Sequence, residues 1–363
     1  MSEPLITIDA RMIRASGIGT YLRALLPRVV ELLPDARFCL LGDRAVLEHE
    51  PFSRHVRVDC REVSAGVYSP LEQVDIPRAA PGDTSVFWSP NVNVPLVHPG
   101  RLLVTVHDAF YFDPPAGVRT RLDKRAYLGV LTRWLRRSAS AVLCVSEFTK
   151  SELERVGGWR CPLRVVPSGI ESEWFSKPGG ERPWAKPYVL YVGNLKPHKN
   201  LPRTLVAFAR IAASVPHDFL VIGAGSAAPL VSMLDPRIAS RVHFLGSLDD
   251  AGVKRHVAHA SGLVLASLYE GFGLPPLEAM ALGVPVLVSR AASLPEICGD
   301  AALYCDPRSV DEIARGLEQL LGDSVARARL AREGPLHARR FSWDESARGT
   351  ADVLAGLLRN GRG

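Results

Sequence analysis

Short apolar segments alternate with amphipathic ones along the whole chain. In the first half an amphipathic helix is predicted from about Thr20 to Leu33, among apolar strand candidates at residues 5–8, 37–41, 85–88, 102–106, 141–145 and 163–166. In the second half, helices are predicted at 201–215 and 310–321, among strand candidates at residues 188–192, 219–222, 242–245, 262–266 and 284–289. Strands that alternate with helices in this way predict parallel sheets covered by helices.

The alternation is interrupted once. Residues 171–186 are rich in Gly, Pro and charged side chains and are typical of an interdomain linker. A chain of 363 residues is also long enough for two domains. We therefore predict an amino-terminal domain at 1–172, a second domain at 187–340, and a final helical segment at 341–363.

The most informative segment is residues 267–283, which begins at Ser267 and contains Glu270 and Glu278. Its position between two strand candidates predicts a strand, loop, helix and strand in succession. Glu270 is expected on the loop at the carboxyl end of the first strand, where open α/β sheets bind ligands. Pro275 or Pro276 suits the first helical position, so Glu278 is expected in the first helical turn, and Gly283 just past the helix end.

These residue types suit a sugar nucleotide. A carboxylate can accept hydrogen bonds from two neighbouring hydroxyls of a ribose or hexose. Glycines such as Gly271 and Gly273 let backbone N–H groups approach a ligand closely, and a helix amino terminus favours a phosphate. For either glutamate alone a structural role is the favoured interpretation: Glu278 would complement the helix dipole, and Glu270 would be a solvated turn residue.

Composition narrows the possible functions only slightly. The net charge of +6 and the pI near 9.1 suit nucleotide phosphates, an anionic membrane surface or nucleic acid. Nucleic acid is disfavoured because the aromatic residues are dispersed and accompany no compact basic motif. The six cysteines form no C-x-x-C pair and are expected to be reduced thiols. The chain start lacks signal-peptide features, which favours a cytoplasmic location, with the inner membrane face as a peripheral alternative.

The 267–283 segment resembles the E-x7-E signature of retaining glycosyltransferases with the GT-B fold, in the family 4 or "group 1" transferases. The resemblance implies two Rossmann-like parallel-sheet domains facing a cleft, and a C-terminal helix crossing back to the first domain. It also implies a nucleotide-diphosphate sugar as donor. Glu278 would hold its ribose, while Glu270 would orient its sugar together with the neighbouring positions Ser267, Gly271, Phe272, Gly273 and Leu274.

A second motif, residues 193–200, follows a strand and precedes a helix. It resembles the family's G-R-L-x-x-x-K element, whose arginine and lysine hold the donor pyrophosphate. Lys199 matches the lysine, whereas Asn194 stands where the family has arginine. Lys196 is the candidate for the missing charge. Without the resemblance, a solvated lysine pair would be the simpler interpretation.

The same resemblance implies roles for further residues. Gly223 and Gly225 match the family's second glycine loop near the nucleotide, and Gly17 and Gly19 match its first, beside the donor phosphates. His107 corresponds to a histidine that faces the donor sugar, although packing in the core is an equal alternative, and Asp108 is a weaker candidate. The turn at Ser146 is expected to cap a helix, and Gly169 is expected to close the first domain or line the cleft.

Residues 119–137 form a predicted basic helix with seven Arg or Lys and several apolar residues. One interpretation is an ordinary surface helix with a basic outer face. The other is a helix that contacts an anionic membrane surface, because basic and aromatic residues on one amphipathic segment suit lipid headgroups.

The resemblance extends to bacterial mannosyltransferases of O-antigen and exopolysaccharide assembly. It implies transfer of a hexose, with mannose from GDP-mannose as first choice, to a glycan or lipid-linked glycan with retention at the anomeric carbon. No D-x-D motif is present, so neither a metal ion nor another cofactor is expected. The alternatives are a UDP- or dTDP-sugar donor, or a non-transferring enzyme of the same fold such as a UDP-sugar 2-epimerase.

Overall fold

Two parallel sheets organise the chain. The computed structural model describes residues 3–110, 112 and 122–359, with only the backbone at 122–126. Contacts divide the chain into one unit of Met1–Gly169 with Ser342–Gly363, and a second unit of Ile170–Phe341.

The first unit is built on a seven-stranded sheet. Its strands are β1 (Leu5–Asp9), β2 (Arg37–Gly42), β3 (Val58–Glu62), β4 (Thr84–Ser89), β5 (Arg101–Val106), β6 (Ala139–Cys144) and β7 (Leu163–Val165). Its helices are α1 (Ser16–Leu32), α2 (Arg44–Glu48), α3 (Glu72–Ala79), α4 (Leu122–Ser138) and α5 (Glu147–Val156). The strands are parallel in the order β3-β2-β1-β4-β5-β6-β7. The inner strands are apolar on both faces, as helices on both sides of a sheet require.

The second unit repeats the plan with six strands. They are β8 (Tyr188–Val192), β9 (Asp218–Ile222), β10 (Val242–Gly246), β11 (Gly262–Leu265), β12 (Val286–Ser289) and β13 (Leu303–Cys305). The helices are α6 (Leu201–Ile211), α7 (Ala228–Val231), α8 (Pro236–Ala239), α9 (Asp250–Ala258), α10 (Leu274–Ala281), α11 (Leu294–Cys298), α12 (Val310–Gly322) and α13 (Ser324–Ala338). The parallel order is β10-β9-β8-β11-β12-β13.

Both sheets reverse their strand order once. The reversal lies between β1 and β4 in the first unit and between β8 and β11 in the second. In doubly wound sheets ligands bind outside the carboxyl ends of the strands at such a reversal. The loops that follow β8 and β11 carry Lys199 and Glu270, so the topology places these two side chains where a ligand is expected.

The C-terminal helix α14 (Trp343–Arg359) belongs to the first unit and packs on α1. Trp343 is buried with its ring centroid 5.9 Å from that of Tyr21, and Arg28 Nε lies 2.7 Å from Asp344 Oδ1. A Cβ at Gly169 would lie only 2.1 Å from the backbone N of Trp343. Gly169 is therefore required by this close backbone approach, which agrees with the predicted structural role; its lining of the cleft stays a prediction.

The predicted fold class is confirmed: two Rossmann-like parallel-sheet domains, with the last helix returned to the first. Some boundaries were wrong. Helix α1 begins at Ser16, so Gly17 and Gly19 lie inside its first turns and do not form a loop before a helix that starts at Thr20. Strands β3 and β13 and helix α13 were not predicted, because β3 is a largely polar edge strand, β13 has three residues, and α13 lacks a clear apolar stripe.

Two local predictions concern the helices around β6. Ser146 caps α5 as predicted, since its Oγ accepts a hydrogen bond of 3.0 Å from the N–H of Thr149. Of the predicted basic helix at 119–137, residues 119–121 lie outside the described residues, and α4 covers the rest. None of the helices in the described part of the chain has both the length and the apolar character that a bilayer crossing requires.

Candidate active site

An ion pair between Lys199 and Glu270 lies at the carboxyl edge of the second sheet. The Lys199 ammonium lies 2.8 and 2.7 Å from the two Glu270 carboxylate oxygens, and the side chains are 17% and 10% exposed. Ser267, fully buried, donates its hydroxyl to Glu270 Oε1 at 2.7 Å. The carboxylate is therefore fixed by a charge-assisted contact and a hydroxyl, in a partly dehydrated position where electrostatic interactions are strong.

The Lys199 loop is held by Asn200, a residue that the sequence analysis did not single out as functional. Asn200 has the left-handed conformation (φ 58°) and is 2% exposed. Its Nδ2 donates to the carbonyl of Ala266 at 2.8 Å and to the carbonyl of Pro307 at 2.7 Å. Asparagine tolerates this backbone conformation better than most residues, which was the one available sequence signal. Asn200 thus ties the lysine loop to the end of β11 and to the segment after β13.

The Glu270 loop is held by a second buried residue that was missed, Ser293. Its hydroxyl lies 3.0 Å from the carbonyl of Glu270 and 2.8 Å from the carbonyl of Phe272. Gly273 ends the loop with φ 117°, and a Cβ there would lie 2.8 Å from Leu294 Cδ2. The glycine is needed both for the backbone conformation and for this close approach.

Glu278 lies deeper in helix α10 than predicted. The helix begins at Leu274, so Glu278 is its fifth residue and lies beyond the first turn. Pro275 and Pro276 occupy the second and third positions and lack N–H groups, which leaves fewer donors for a phosphate at this helix end. Gly283 follows the helix with φ 72°, as predicted. Because dipole effects fade beyond the first turn, the purely structural explanation of Glu278 loses support.

The protonation of Glu278 is perturbed. Its partly buried carboxyl loses hydration, and this desolvation, with a smaller contribution from the charge of Asp250, raises the pKa of Glu278 to about 8. The structure records no hydrogen bond from this carboxyl to another described residue. At neutral pH the group is mostly protonated and can both donate and accept.

The two glycine loops of the second unit pack against each other. A Cβ on Gly223 would lie 1.9 Å from the carbonyl oxygen of Gly193, and one on Gly225 would lie 2.6 Å from Leu195 Cβ. The N–H of Leu195 donates to the carbonyl of Ala224 at 3.0 Å. The glycines therefore have a packing reason of their own, and their contact with a nucleotide stays a prediction.

Asn194 and Lys196, the two polar residues near Lys199, differ in whether their side chains bond to other protein groups. The backbone carbonyl of Asn194 accepts from the Tyr191 hydroxyl at 2.9 Å, and its side-chain oxygen accepts from the N–H of Lys196 at 3.3 Å. Lys196 itself is exposed, and the structure records no acidic partner for it among the described residues. Its ammonium is available for an anion, as the substitution of Asn194 for arginine would require.

His107 belongs to the first unit and follows β5. Its Nε2 lies 2.9 Å from the carbonyl oxygen of Pro90, and its ring meets Tyr21 edge-on at 4.8 Å. Since a carbonyl only accepts, Nε2 carries the proton and Nδ1 is left as an acceptor. Burial lowers the pKa of His107 to about 4, so the ring is neutral at physiological pH. The neighbouring Asp108 accepts from the N–H of Phe110 at 3.1 Å and helps to shape the turn.

The predicted glycine loop at Gly17 and Gly19 is wrong in form, since both residues are helical. A Cβ on Gly19 would lie 2.6 Å from the carbonyl oxygen of Ile13, so the preceding turn requires a glycine there. A Cβ on Gly17 would meet nothing within 4 Å. The two glycines therefore differ: Gly19 has a packing reason and Gly17 has none.

A buried polar network lies beside the reversal point of the first sheet and was not predicted. Glu72, fully buried, lies 3.1 Å from Arg11 Nη1, 2.5 Å from Asn93 Nδ2 and 2.8 Å from the Tyr127 hydroxyl. Arg11 also pairs with Asp9 at 2.8 Å, at the end of β1. These contacts join segments far apart in the chain and fix the loops at this sheet edge.

Family models match both halves of the chain. The family model for glycosyl transferases group 1 matches residues 172–337, and that for glycosyltransferase family 4 matches residues 85–174. The chain is 31% identical over 260 residues to O-antigen chain mannosyltransferase B of Escherichia coli, covering 67% of each protein. It is 30% identical over 238 residues to a glycogen synthase of Mycobacterium tuberculosis, covering 63% of this chain and 57% of that protein.

Similar solved structures cover nearly the entire chain. Sucrose-phosphate synthase from Thermosynechococcus elongatus matches with a TM-score of 0.80 at 20% identity, over 99% of this chain and 100% of that one. HepE of Anabaena, in complex with UDP-glucose, matches with a TM-score of 0.75 at 18% identity, over 97% and 99%. At these identities the likeness concerns the fold alone.

Proposed function

The chain belongs to the group 1 glycosyltransferases, and on that premise we propose that it transfers mannose from GDP-mannose to a glycan or lipid-linked glycan acceptor, with retention of anomeric configuration. The similarity to the O-antigen mannosyltransferase supports the choice of sugar. That alignment spans about two thirds of the relative's length, and its name concerns O-antigen chains. A role in bacterial polysaccharide assembly follows as part of the proposal.

The observation that carries the proposal is the Lys199–Glu270 pair at the reversal point of the second sheet. We assign Lys199 to the donor diphosphate, Glu270 with the backbone of residues 271–273 to the sugar hydroxyls, and Glu278 to the ribose. When the donor binds, the Lys199 ammonium would pair with a diphosphate oxygen in place of Glu270. The Glu270 carboxylate could then accept hydrogen bonds from sugar hydroxyls. After this exchange the diphosphate compensates the charge of Lys199, and hydroxyl groups of Ser267 and the sugar solvate the charge of Glu270.

The chemistry assigned to the site needs no protein nucleophile. In the proposed donor complex the Glu270 oxygens accept hydrogen bonds from Ser267 and from sugar hydroxyls, so this carboxylate is not assigned the attack on carbon. In the proposed step the bond from the anomeric carbon to the diphosphate oxygen breaks as the acceptor oxygen bonds on the same face. The acceptor proton passes to the leaving phosphate. Lys199 stabilises the charge that develops on that phosphate, so no metal ion is required.

His107 is proposed to bind the donor sugar. Its neutral ring, with Nδ1 as an acceptor and Nε2–H committed to Pro90, suits a hydrogen bond from a sugar hydroxyl. An imidazolium would lack that acceptor. The expected effect of His107→Ala is a lower rate of transfer with little change in the affinity for free GDP.

The acceptor side of the proposal includes a peripheral contact with an anionic membrane. On α4, Val130 (59% exposed), Arg133 and Arg137 lie on the outer face, while Leu128, Leu131 and Leu135 are buried. Nearby, Gln73 bonds to the backbone of Leu96 and to the Tyr127 hydroxyl, which brings together a group of exposed apolar side chains, Leu71, Val74, Leu96 and Val97. Apolar and basic groups on one surface suit anionic headgroups.

Co-sedimentation with anionic liposomes tests this contact. The double reversal Arg133→Glu and Arg137→Glu should abolish binding, whereas Arg332→Glu on α13 should not. Arg136 is left unchanged because its Nη1 donates to the carbonyl of Gly157. Equal binding by all three proteins would contradict the proposed surface.

A glucosyl donor is the second candidate, because the glycogen synthase similarity spans 63% of the chain. A thermal-shift panel of GDP-, UDP-, ADP- and dTDP-sugars separates the two. A shift with GDP-mannose and release of GDP on adding acceptor support the proposal. A shift with UDP- or ADP-glucose alone would replace mannose by glucose, and donor consumption without a transfer product would indicate an epimerase.

A further inference from the structure

A cavity of about 420 Å³ lies at the amino ends of β11 and β12, at the edge of the second sheet opposite to Lys199 and Glu270. It is bounded by the segment before β11, the turn before β12, the first half of α13 and the linker residue Lys177. Its volume is within the range of small-molecule sites. No predicted or proposed residue of the donor site lines it.

All of the charged side chains that line this cavity are positive. Lys177 and Arg327 line it, and no Asp or Glu does. The structure records no ion pair for either cation among the described residues. The neighbouring Asp323 directs its carboxylate to the N–H groups of Val325 and Ala326, where it caps α13. Its charge is thus engaged by the helix end and is not paired with Arg327.

Two buried polar atoms at this place lack partners. Arg327 Nε is buried without a hydrogen bond, and so is Nδ1 of His217, a residue only 7% exposed. His217 lies directly behind the cavity wall, because its Nε2 is 3.2 Å from the hydroxyl of Ser261, which lines the cavity. Buried polar groups are nearly always satisfied by protein, water or a bound ion, so the unpartnered Arg327 Nε in the cavity wall calls for an additional ligand.

We propose that this cavity binds the phosphate group of a small phosphorylated metabolite. Arg327 and Lys177 supply the positive charge, and the Ser261 hydroxyl, oriented by His217, supplies a neutral donor. Apart from Ser324, the remaining wall is apolar, with Ala258, Val284 and Pro285 among its residues, and the cavity exceeds the size of inorganic phosphate. It therefore has room for the carbon skeleton of a metabolite as well as the phosphate.

Isothermal titration calorimetry tests this site with two probes, inorganic phosphate and glucose 6-phosphate, in a buffer free of other oxyanions. The parent protein for all titrations carries Lys199→Met and Lys196→Met, which remove both cations assigned to phosphate at the donor edge. We expect saturable binding of both probes, with glucose 6-phosphate tighter. Adding Arg327→Gln or Lys177→Gln should weaken binding about tenfold or more, through loss of a charge-assisted contact.

The matched control is Arg332→Gln, an exposed arginine on the same helix that pairs with Glu333 outside the cavity. It should leave both affinities unchanged. Lys177 is exposed on the linker, so its substitution tests the site even if Arg327→Gln lowers stability. The proposal is overturned if neither probe binds at about millimolar concentration, or if Arg327→Gln and Lys177→Gln both bind as the parent does. Because the donor-edge lysines are already replaced in the parent protein, a negative result in these titrations does not contradict the proposed donor site.

Discussion

On the proposed assignment of Glu278 to the ribose, the raised pKa of this carboxyl should make donor affinity depend on pH by an amount that can be calculated. With a pKa of about 8, roughly 1% of the carboxyl is ionised at pH 6 and about half at pH 8. The ionised form accepts ribose hydroxyls more strongly, because the hydrogen bonds are charge-assisted. If only that form binds well, complex formation releases one proton. The dissociation constant should then fall about tenfold per pH unit below pH 8, and up to roughly 50-fold between pH 6 and 8.

The assay is titration of GDP-mannose by calorimetry between pH 6 and 8, for the wild type and Glu278→Gln. His107 and His198, whose pKa values burial lowers to about 4, stay neutral over this range and add no slope. Glu278→Gln should bind with an affinity independent of pH, close to that of the wild type at pH 6. A wild-type dissociation constant that changes less than about threefold, or an equal slope in Glu278→Gln, would refute the assignment of Glu278 to the ribose or its raised pKa.

Three further predictions follow from contacts in the structure. Lys199→Met should weaken GDP-mannose binding about 10- to 100-fold in calorimetry, through loss of a charge-assisted contact, whereas Lys196→Met should have a smaller effect; equal losses would contradict the different roles. Asn200→Ala should cost about 2–4 kcal/mol in urea unfolding and lower kcat, because two buried carbonyls lose their donor; an unchanged midpoint would show that the contact is dispensable. Gly17→Ala should raise stability by about 0.5–1 kcal/mol and Gly19→Ala should lower it, since only the second Cβ meets the backbone; the reverse order in thermal unfolding would contradict the packing.

The segment at residues 267–283 shows how much of the local structure the sequence alone predicts. The order of apolar strand, Glu270 loop, helix and strand is local, and the structure confirms it within a residue or two. The position of Glu278 was wrong by part of a turn, because two adjacent prolines suggested a later helix start than Leu274. Helix ends depend on one or two hydrogen bonds and are the least determined feature of a sequence pattern.

The polar network of the first unit shows what local sequence patterns cannot predict. Glu72 follows no recognisable motif, and its partners Arg11, Asn93 and Tyr127 are 61, 21 and 55 residues away in the chain. Burial of this carboxylate is tolerable only because the folded chain supplies all three donors at once. No short segment of the sequence contains Glu72 together with these three partners.

By itself, the sequence determined the alternation of strands and helices and the residue types at the strand ends, because these depend on local periodicity and turn chemistry. Only the tertiary structure decided that Lys199 meets Glu270, that Asn200 reaches the carbonyls of Ala266 and Pro307, and that His107 is neutral with its proton on Nε2. The physical reason is the parallel sheet. Its carboxyl edge gathers loops from distant parts of the chain, and the dehydration that shifts the pKa values exists only once those loops are packed together.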